Sequence, residues 1–348
     1  MECSDAQHEG IPATGRFGDL TPRASMLPLV NTRQLKPGSS LPLLIEASSQ
    51  TTNLAGWTRA NRKLIESCLL KHGGILFRGF ETSVAEFGDL IETLCGSLLD
   101  YSYRSTPRTL VSGKIYTSTE YPAHQSIPLH NENAYAREWP MKIGFLSLQC
   151  AEYGGETPIA DSRRVYEQIP AEIREHFTRR GVMYVRNYGN GFDLPWQNVF
   201  QTRHKSDVEN YCRGAGIEFE WLSEDRLRTR QICQAVAKHP RTGEMVWFNQ
   251  AQLFHVSRLQ ADVCEALLSI FDEDELPRNV FYGDGTPIEA SDLDRICEVY
   301  EQQKIVFRWH EGDVLLLDNM LAAHGRNPFT GERKVVVGMA EPYSLTIQ

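Results

Sequence analysis

Residues 128–135 read Pro-Leu-His-Asn-Glu-Asn-Ala-Tyr, so that His130 and Glu132 stand two positions apart. On a β-strand, residues i and i+2 point to the same face, and both side chains are then expected to reach one point. An imidazole and a carboxylate on one face are two of the three ligands of a facial 2-His-1-carboxylate iron(II) site. The stretch therefore predicts a strand that carries two metal ligands, with a second histidine supplied from elsewhere.

This pair alone is a weak signal. With 10 histidines and 45 acidic residues among 348, about one His-x-acid triplet is expected by chance, and the chain contains one. Further support comes from the segment that begins at Asp318-Asn319 and leads to His324. His324 follows an apolar strand and a turn, which places it at the rim of a predicted barrel, and it is the predicted third ligand. Asp318 and Asn319 are expected to orient the turn.

Two further side chains suit a carboxylate bound beside such a metal. Arg333 stands directly before the last predicted strand and could present its guanidinium fork to a carboxylate. Thr157, in the turn after Gly154-Gly155, could add a hydroxyl donor. Arg326 is the alternative arginine: it could bind the carboxylate, line a substrate pocket or brace its own loop.

Composition excludes several classes of protein. The formal net charge of −9 argues against a general binder of nucleic acid or of anionic membranes. No run approaches 18 apolar residues, and the N-terminus lacks the basic start and apolar run of a signal peptide. The eight cysteines are dispersed and form no C-x-x-C motif, which is typical of thiols in a reducing compartment. We therefore expect a cytoplasmic protein without a membrane span.

The pattern of turns and hydrophobic positions predicts a loose leader over residues 1–25 and one domain over residues 26–348. Residues 187–245 are expected to form an insertion or lid between core strands. Helices are predicted at 57–69, from Ser83 with a capping box to Glu86, from Asp161/Ser162, and at 171–180, 206–213, 261–271 and 293–304. Strands are predicted at 75–77, 143–150, 182–186, 217–221, 245–248, 305–309, 313–318 and 334–340.

Short strands with glycine turns in the second half, interrupted by helices, indicate an α+β protein. The favoured core is a jelly-roll or cupin-like barrel with helical additions. A doubly wound α/β sheet fits the early part nearly as well, but the chain has neither a G-x-G-x-x-G nor a G-x-x-x-x-G-K-[ST] motif.

Taken together, these motifs resemble the taurine-dioxygenase-like (TauD/TfdA) family of iron(II)- and 2-oxoglutarate-dependent oxygenases. The resemblance covers about Leu27 to Ala340, and the matching residues follow the family's order: His130-x-Glu132, Thr157 after the Gly-Gly turn, Asp318-Asn319 before His324, and Arg333. Taurine dioxygenase has aspartate where this chain has Glu132, whereas related amino-acid hydroxylases have glutamate. Slightly fewer residues separate His324 from Arg333 than separate the matching pair in taurine dioxygenase. Arg326 therefore remains an alternative to the favoured Arg333 as the arginine that binds the carboxylate.

The resemblance implies a double-stranded β-helix in which His130, Glu132 and His324 hold iron(II). It also implies that Thr157 and the late arginine bind the distal carboxylate of the co-substrate 2-oxoglutarate, with O2 as the second co-substrate. The sequence around the motifs is similar to the syringomycin-pathway aspartyl β-hydroxylase and its relatives in peptide-antibiotic clusters. Those enzymes hydroxylate amino acids, often while these are tethered to a peptidyl carrier protein.

The predicted reaction is hydroxylation of an amino-acid-like small molecule in antibiotic biosynthesis. The same iron site could instead drive desaturation, epoxidation or cyclisation. A cupin-like metal hydrolase or binding module is the more distant alternative, and retention of Thr157 and Arg333 argues against it. Candidate substrate-binding residues are Arg326, Asn133, Asn249 and His255. The sequence leaves open whether the protein forms a homo-oligomer.

Overall fold

The computed structural model describes residues 30–49, 52–101, 103 and 105–345. The leader predicted for residues 1–25 lies outside the described residues. The strands are β1 (Val30–Gln34), β2 (Leu43–Ala47), β3 (Gly74–Arg78), β4 (Leu110–Ser112), β5 (Ile115–Thr117), β6 (Ile127–His130), β7 (Glu138–Gln149), β8 (Tyr153–Gly154), β9 (Ile159–Asp161), β10 (Val182–Tyr188), β11 (Glu218–Trp221), β12 (Leu227–Cys233), β13 (Val236–Lys238), β14 (Met245–Trp247), β15 (Arg278–Tyr282), β16 (Val314–Asp318), β17 (Ala322–Arg326), β18 (Phe329–Thr330) and β19 (Lys334–Ser344).

The helices are α1 (Leu54–Ala60), α2 (Arg62–His72), α3 (Val84–Cys95), α4 (Ser162–Gln168), α5 (Ala171–Arg180), α6 (Trp196–Phe200), α7 (Lys205–Ala215), α8 (Ala251–Phe254), α9 (Ala261–Ile270) and α10 (Ala290–Gln303), with a 3-10 helix at Val256–Arg258. Within the part of the chain that the structure describes, no helix is long and apolar enough to span a bilayer.

Local signals fix the start of α3 as the sequence predicts. The Ser83 hydroxyl accepts a hydrogen bond from the Glu86 amide, and the Glu86 carboxylate accepts one from the Ser83 amide. This reciprocal capping box satisfies two backbone donors that the helix itself leaves free. Leu90, Ile91 and Leu94 then fall on one buried face of the helix.

A large sheet forms the base of the core, with the spatial order β1-β2-β3-β16-β7-β19-β5-β4. Its central strand β16 is buried on both faces, so its sequence is a continuous apolar run rather than an alternating one. Leu315 and Leu317 point into the barrel interior, where they pack with Ile159 and Ala322 of a second sheet. Val314 and Leu316 point the other way, onto α2 and α3.

The second sheet is small and carries the order β6-β17-β9. Leu129, Ala160 and Ala323 lie on its outer face, in a cluster that also includes residues of the four-stranded sheet β11-β12-β10-β15. The small sheet is thus enclosed between the barrel interior and a third layer. Trp196 and Leu227, from the segment predicted as a lid, belong to that same third-layer cluster.

Some local expectations were wrong. The helix predicted over 57–69 is two helices, because Asn61 has a non-helical backbone and its side chain donates to the Trp57 carbonyl. Helix α7 begins at Lys205 without a side-chain cap, so Ser206 is not its cap. The strand predicted over 305–309 is reduced to a single bridge between Ile305 and Ile159.

Among the described residues, no hairpin joins the His324 segment to the last strand. Strand β17 lies in the small sheet, whereas β19 pairs with β7 and β5 in the large sheet. The chain crosses between the sheets through β18, which pairs with β8. This crossover is what closes the two sheets into a barrel, and a hairpin would have left both strands in one sheet.

Substitution of Gly144 in β7 tests how tightly the helical layer packs on the large sheet. A Cβ at this position would lie 2.5 Å from Ile91 Cδ1 and 3.2 Å from the Phe87 ring. We expect Gly144→Ala to lower the free energy of unfolding by about 1–3 kcal/mol, the usual cost of overpacking a core, as measured by urea denaturation.

The matched control for this substitution is Gly88→Ala, within α3. A Cβ at Gly88 meets only Ile115 Cγ1, at 3.9 Å. Because alanine is favoured over glycine inside a helix, we expect stabilisation by about 0.5–1 kcal/mol. Equal effects of the two variants would contradict the packing described above.

Candidate metal centre

Three ligand-type side chains meet at the end of the small sheet. His130 is the last residue of β6, and the strand register pairs it directly with His324 on β17. The two imidazole rings are 4.6 Å apart between centroids. With Glu132 they form a group whose ligand atoms all lie within 4.8 Å of one another. Residues 194 positions apart in sequence are thus brought together by one antiparallel pairing.

Glu132 does not lie on a strand, contrary to the expectation from the i, i+2 spacing. Strand β6 ends at His130, and Glu132 occupies the turn that follows, in which Asn133 has a positive φ of 55°. The strand stops here because the Glu132 amide donates to the Asn319 side chain rather than to a neighbouring strand. Glu132 still reaches the imidazoles, but through a turn.

The Asn319 side chain holds this turn from both sides. Its Oδ1 accepts from the Glu132 amide at 2.7 Å, and its Nδ2 donates to the Glu132 carbonyl at 2.9 Å. The same Nδ2 also donates to the carbonyl of Pro140 at 2.8 Å. Asn319 is fully buried, so these hydrogen bonds are shielded from competing water.

Other buried amides fix the backbone on either side. Asn131 Nδ2 donates to the Ser162 hydroxyl and to the Asn319 carbonyl. Gln250 donates to the Asn131 carbonyl at 2.7 Å, and Gln252 donates to the Leu129 carbonyl at 3.2 Å. Neither glutamine is among the residues that the sequence predicts for the site. The one available signal is their place directly after a buried strand, where polar side chains need partners.

Behind Asn319 lies a buried charge network centred on Asp318. Its carboxylate accepts from Lys142 Nζ at 2.6 Å and from the backbone amides of Met320 and Leu321. His239 Nε2 lies 3.3 Å from the same carboxylate. Burial favours the neutral acid, but the Lys142 ammonium outweighs it, and His239 adds to the effect, so the pKa of Asp318 falls to about 2.

Electrostatics set the protonation states that a metal requires. Burial, reinforced by the nearby His324, lowers the pKa of His130 to about 4, so this imidazole is neutral at pH 7. Burial opposes ionisation of Glu132, but the adjacent Arg108 guanidinium and His324 hold the pKa of its carboxyl well below its ordinary value. Arg108 Nη2 donates to Glu132 Oε2 at 2.8 Å.

The donor set fits iron(II). His130 Nδ1 donates to the Pro128 carbonyl at 2.8 Å, which leaves its Nε2 lone pair for a metal. His324 Nε2 lies 3.7 Å from Glu132 Oε2. Two imidazoles and one carboxylate match the facial triad of non-haem iron oxygenases.

Arg333 and Thr157 both have donors suited to an anion. Arg333 Nε donates to the Gly155 carbonyl at 2.8 Å and Nη1 to the Ser118 hydroxyl at 3.3 Å, and neither partner is a carboxylate. Burial, together with nearby Arg326, lowers the pKa of Arg333 to about 10. Thr157 is buried, and its hydroxyl oxygen accepts from the Trp309 indole at 3.1 Å, so its O–H remains to donate.

Arg326 has a different set of contacts. Its two terminal nitrogens donate to three backbone carbonyls, those of Tyr121, Pro122 and Gln125, at 2.7–2.9 Å. These bonds tie β17 to the loop that precedes β6. Of the alternatives open from the sequence, this geometry favours bracing of the loop.

The remaining sequence candidates are more scattered. Asn133 lies in the metal turn and accepts from the Tyr135 hydroxyl at 3.3 Å. Asn249 is fully buried, and its amide bonds the backbone of Ala235 and Ala251. His255 caps the short 3-10 helix through Ser257. The contacts of Asn249 and His255 are structural ones, and neither involves the triad.

Comparison with known proteins identifies the family. The model of the "Taurine catabolism dioxygenase TauD, TfdA family" matches residues 31–339. The chain belongs to this family. It is 42% identical over 313 residues to the dapdiamide synthesis protein DdaC of Enterobacter agglomerans, covering 90% of this chain and 94% of that one. It is 30% identical over 317 residues to a clavaminate synthase-like protein of Arabidopsis thaliana, covering 88% and 89%.

Solved structures agree on the fold. PvcB from Pseudomonas aeruginosa superposes with a TM-score of 0.53 at 13% identity, over 92% of this chain and 94% of that one. AAD-2 in complex with Mn(II) and N-oxalylglycine superposes with a TM-score of 0.52 at 12% identity, over 92% and 100%. The predicted α+β fold with a jelly-roll core is confirmed. Family membership also confirms an iron(II)- and 2-oxoglutarate-dependent dioxygenase that uses O2, and it excludes the hydrolase alternative.

We expect Asn319→Ala to weaken metal binding about 10- to 100-fold, as is usual for loss of a group that orients a metal ligand. The Glu132 turn would lose its two-sided hydrogen bond, whereas the three ligand residues themselves are not substituted. Calorimetric titration of the apoprotein with Co(II) measures the change. The matched control is Asn187→Ala, a buried asparagine that bonds the carbonyls of Asp274 and Leu276. Unchanged affinity in Asn319→Ala would contradict this role.

Asp318 predicts a pH dependence of stability. Because its pKa is lower in the folded chain (about 2) than in the unfolded chain (about 3.9), the unfolded state binds the proton first. The stability contributed by the carboxylate is therefore complete above about pH 4 and is lost as pH falls towards 2. Asp318→Asn lacks this titration and leaves the buried Lys142 ammonium with only the Glu341 carboxylate, 3.7 Å away, a loss of about 3–5 kcal/mol at pH 7.

Urea denaturation between pH 3 and 7 measures this effect. The stability difference between wild type and Asp318→Asn is expected to narrow below pH 4. The control, Asp89→Asn at an exposed position of α3, is expected to give a small and constant difference. A difference for Asp318→Asn that stays constant with pH would contradict the lowered pKa.

Proposed function

We propose that this dioxygenase hydroxylates an unactivated C–H bond of an amino acid, free or tethered to a peptidyl carrier protein, in the biosynthesis of a peptide natural product. The observation that carries the proposal is the meeting of His130, Glu132 and His324 within 4.8 Å. The similarity to a dapdiamide synthesis protein supports the biosynthetic context. Desaturation, epoxidation and cyclisation are alternative outcomes at the same site.

In this proposal His130, Glu132 and His324 hold iron(II). When bound, iron(II) with 2-oxoglutarate and O2 supplies an oxidation that breaks an unactivated C–H bond and releases succinate and CO2. These three residues would leave coordination positions of the metal open to co-substrates. The Asn319 hydrogen bonds keep the Glu132 carboxylate in place, and the neutral state of His130 at pH 7 lets it bind the metal without first losing a proton.

Arg333 and Thr157 are assigned to the distal carboxylate of 2-oxoglutarate. A guanidinium fork pairs with a carboxylate through two parallel hydrogen bonds, and the hydrogen bonds that Arg333 makes go to a carbonyl and a hydroxyl and not to a carboxylate. The Thr157 hydroxyl adds a third donor, because the Trp309 indole already occupies one of its lone pairs. Arg326 is left to brace the loop. Phe145, whose ring lies 5.1 Å from that of His324, helps to exclude water.

The test is anaerobic addition of iron(II) and then 2-oxoglutarate to the apoprotein. Chelation of the keto acid by iron(II) gives a weak visible metal-to-ligand charge-transfer band. We expect the band in wild type, its loss in His130→Ala, and 2-oxoglutarate binding about 10- to 100-fold weaker in Arg333→Ala, since a hydrogen-bonded charge contributes about 1.5–3 kcal/mol.

Matched controls are His124→Ala and Arg164→Ala, both at exposed positions. They are expected to retain the band and the affinity. Absence of the band in wild type despite tight metal binding, or its persistence in His130→Ala, would contradict the assignment of the triad as the iron(II) site. Once a substrate is found, the product mass separates oxygen insertion from dehydrogenation: hydroxylation and epoxidation each add one oxygen atom, whereas desaturation and oxidative cyclisation each remove two hydrogens.

A further inference from the structure

Arg108 is a buried arginine that no sequence motif marks. It lies just before β4 and is 8% exposed. Its Nη2 donates to Glu132, and its guanidinium carbon lies 4.6 Å from the centroid of the Tyr101 ring. Its Nε is buried and has no hydrogen-bond partner among the described residues. An unsatisfied buried donor costs about 1–3 kcal/mol, so a function for this atom is worth seeking.

Charge balance gives a first indication of that function. In the proposed complex, iron(II), the Glu132 carboxylate, the guanidinium groups of Arg108 and Arg333 and doubly negative 2-oxoglutarate leave one positive charge. Arg326 and Glu156, which also act on Arg333, offset each other. A buried charge is costly unless an opposite charge accompanies it. The loaded site is therefore expected to favour a monoanionic group.

A cavity next to Arg108 provides the space. Its volume is about 380 Å³, and it lies between the segment Thr106–Thr109 and the end of α6. Arg108, Gln197, Asn198 and Gln201 are among the residues that line it. Helix α6 belongs to the segment 187–245, predicted as a lid. The walls are polar, which suits a small hydrophilic substrate better than a hydrocarbon.

We propose that this cavity binds the substrate and that Arg108 bonds a carboxylate of that substrate beside Glu132. The inference rests on the proposed function and narrows it to a carboxylate-bearing substrate. On any guanidinium the Nε–H and one Nη2–H share an edge and form a fork that a carboxylate accepts, and Nη2 carries two hydrogens, of which Glu132 needs one. Glu120, exposed at the same cavity, suits the ammonium group of an amino acid.

Two sources could supply this carboxylate. It is the α-carboxylate of a free amino acid, or it is a side-chain carboxylate of an amino acid whose α-carboxyl is tied up as a carrier thioester. Both present the same anion to Arg108. They differ in what occupies the rest of the cavity, so matched pairs of small probes separate them.

The decisive probe is acetate against its neutral isostere acetamide. Each is titrated anaerobically into the complex of the enzyme with iron(II) and 2-oxoglutarate, and the shift of the charge-transfer band gives a Kd. We expect acetate to bind at least tenfold more tightly than acetamide to wild type. In Arg108→Gln this preference is expected to disappear, while Arg108→Lys, which keeps the charge without the fork, retains part of it.

Arg228→Gln is the matched control. Arg228 is likewise a buried arginine in an ion pair, with Asp274, but it contacts none of the triad residues. It is expected to keep the acetate preference. Equal binding of acetate and acetamide to wild type, or a preference that survives in Arg108→Gln, would overturn the proposal. Failure of the proposed function is distinct, because the band itself would then be missing before any probe is added.

The second pair of probes assigns the source. L-alanine is compared with L-alaninamide, and the N-acetylcysteamine thioester of L-aspartate with that of L-asparagine. Arg108-dependent preference for the carboxylate in the first pair supports a free amino acid, and in the second pair it supports a carrier-tethered one. If both amides bind as tightly as their carboxylates, Arg108 does not recognise the substrate and the proposal fails.

Discussion

The two-sided hydrogen bond between Asn319 and the backbone of Glu132 is the constraint on which the candidate site depends. A carboxylate in a turn would otherwise sample many positions, because no strand ladder holds it. Asn319 supplies the acceptor and donor that a neighbouring strand would have supplied. Since Asn319 belongs to the turn between β16 and β17, the same turn also delivers His324, and the barrel therefore positions two of the three ligands together.

Two buried ion pairs lie close to the turn that Asn319 holds. Asp318 with Lys142 and Glu132 with Arg108 are two ion pairs removed from water, and pairs of this kind often add little net stability compared with apolar residues. Their value lies in geometry. Asp318 fixes the turn through the amides of Met320 and Leu321, and Arg108 holds one oxygen of Glu132. The apolar barrel interior and the helices on the large sheet provide stability that offsets the cost of burying these charges.

Much of the local structure could be predicted from the sequence. The capping box of α3 and the glycine at the end of α2 depend on neighbours within four residues, so their signals are readable along the chain. The choice of His130, Glu132 and His324 also came from the sequence, because a facial metal site demands specific residue types. The fold brings these three residues together, which is consistent with the prediction. The prediction that Glu132 lies on a strand was wrong, since spacing alone cannot distinguish a strand from a turn held by a residue 187 positions away.

The sequence by itself determined the ligand types, the capped start of α3 and, through its motifs, the family. Only the tertiary structure decided how Glu132 is held, that Arg326 grips a loop while Arg333 keeps donors free, and that Arg108 stands beside the metal ligand. The physical reason is the separation along the sequence between the residues that interact. Helix caps and strand alternation are set by interactions within a few residues, whereas Arg108, Asn319 and Arg326 act on partners 24 to 205 positions distant. Such contacts exist only after the sheets have closed around them.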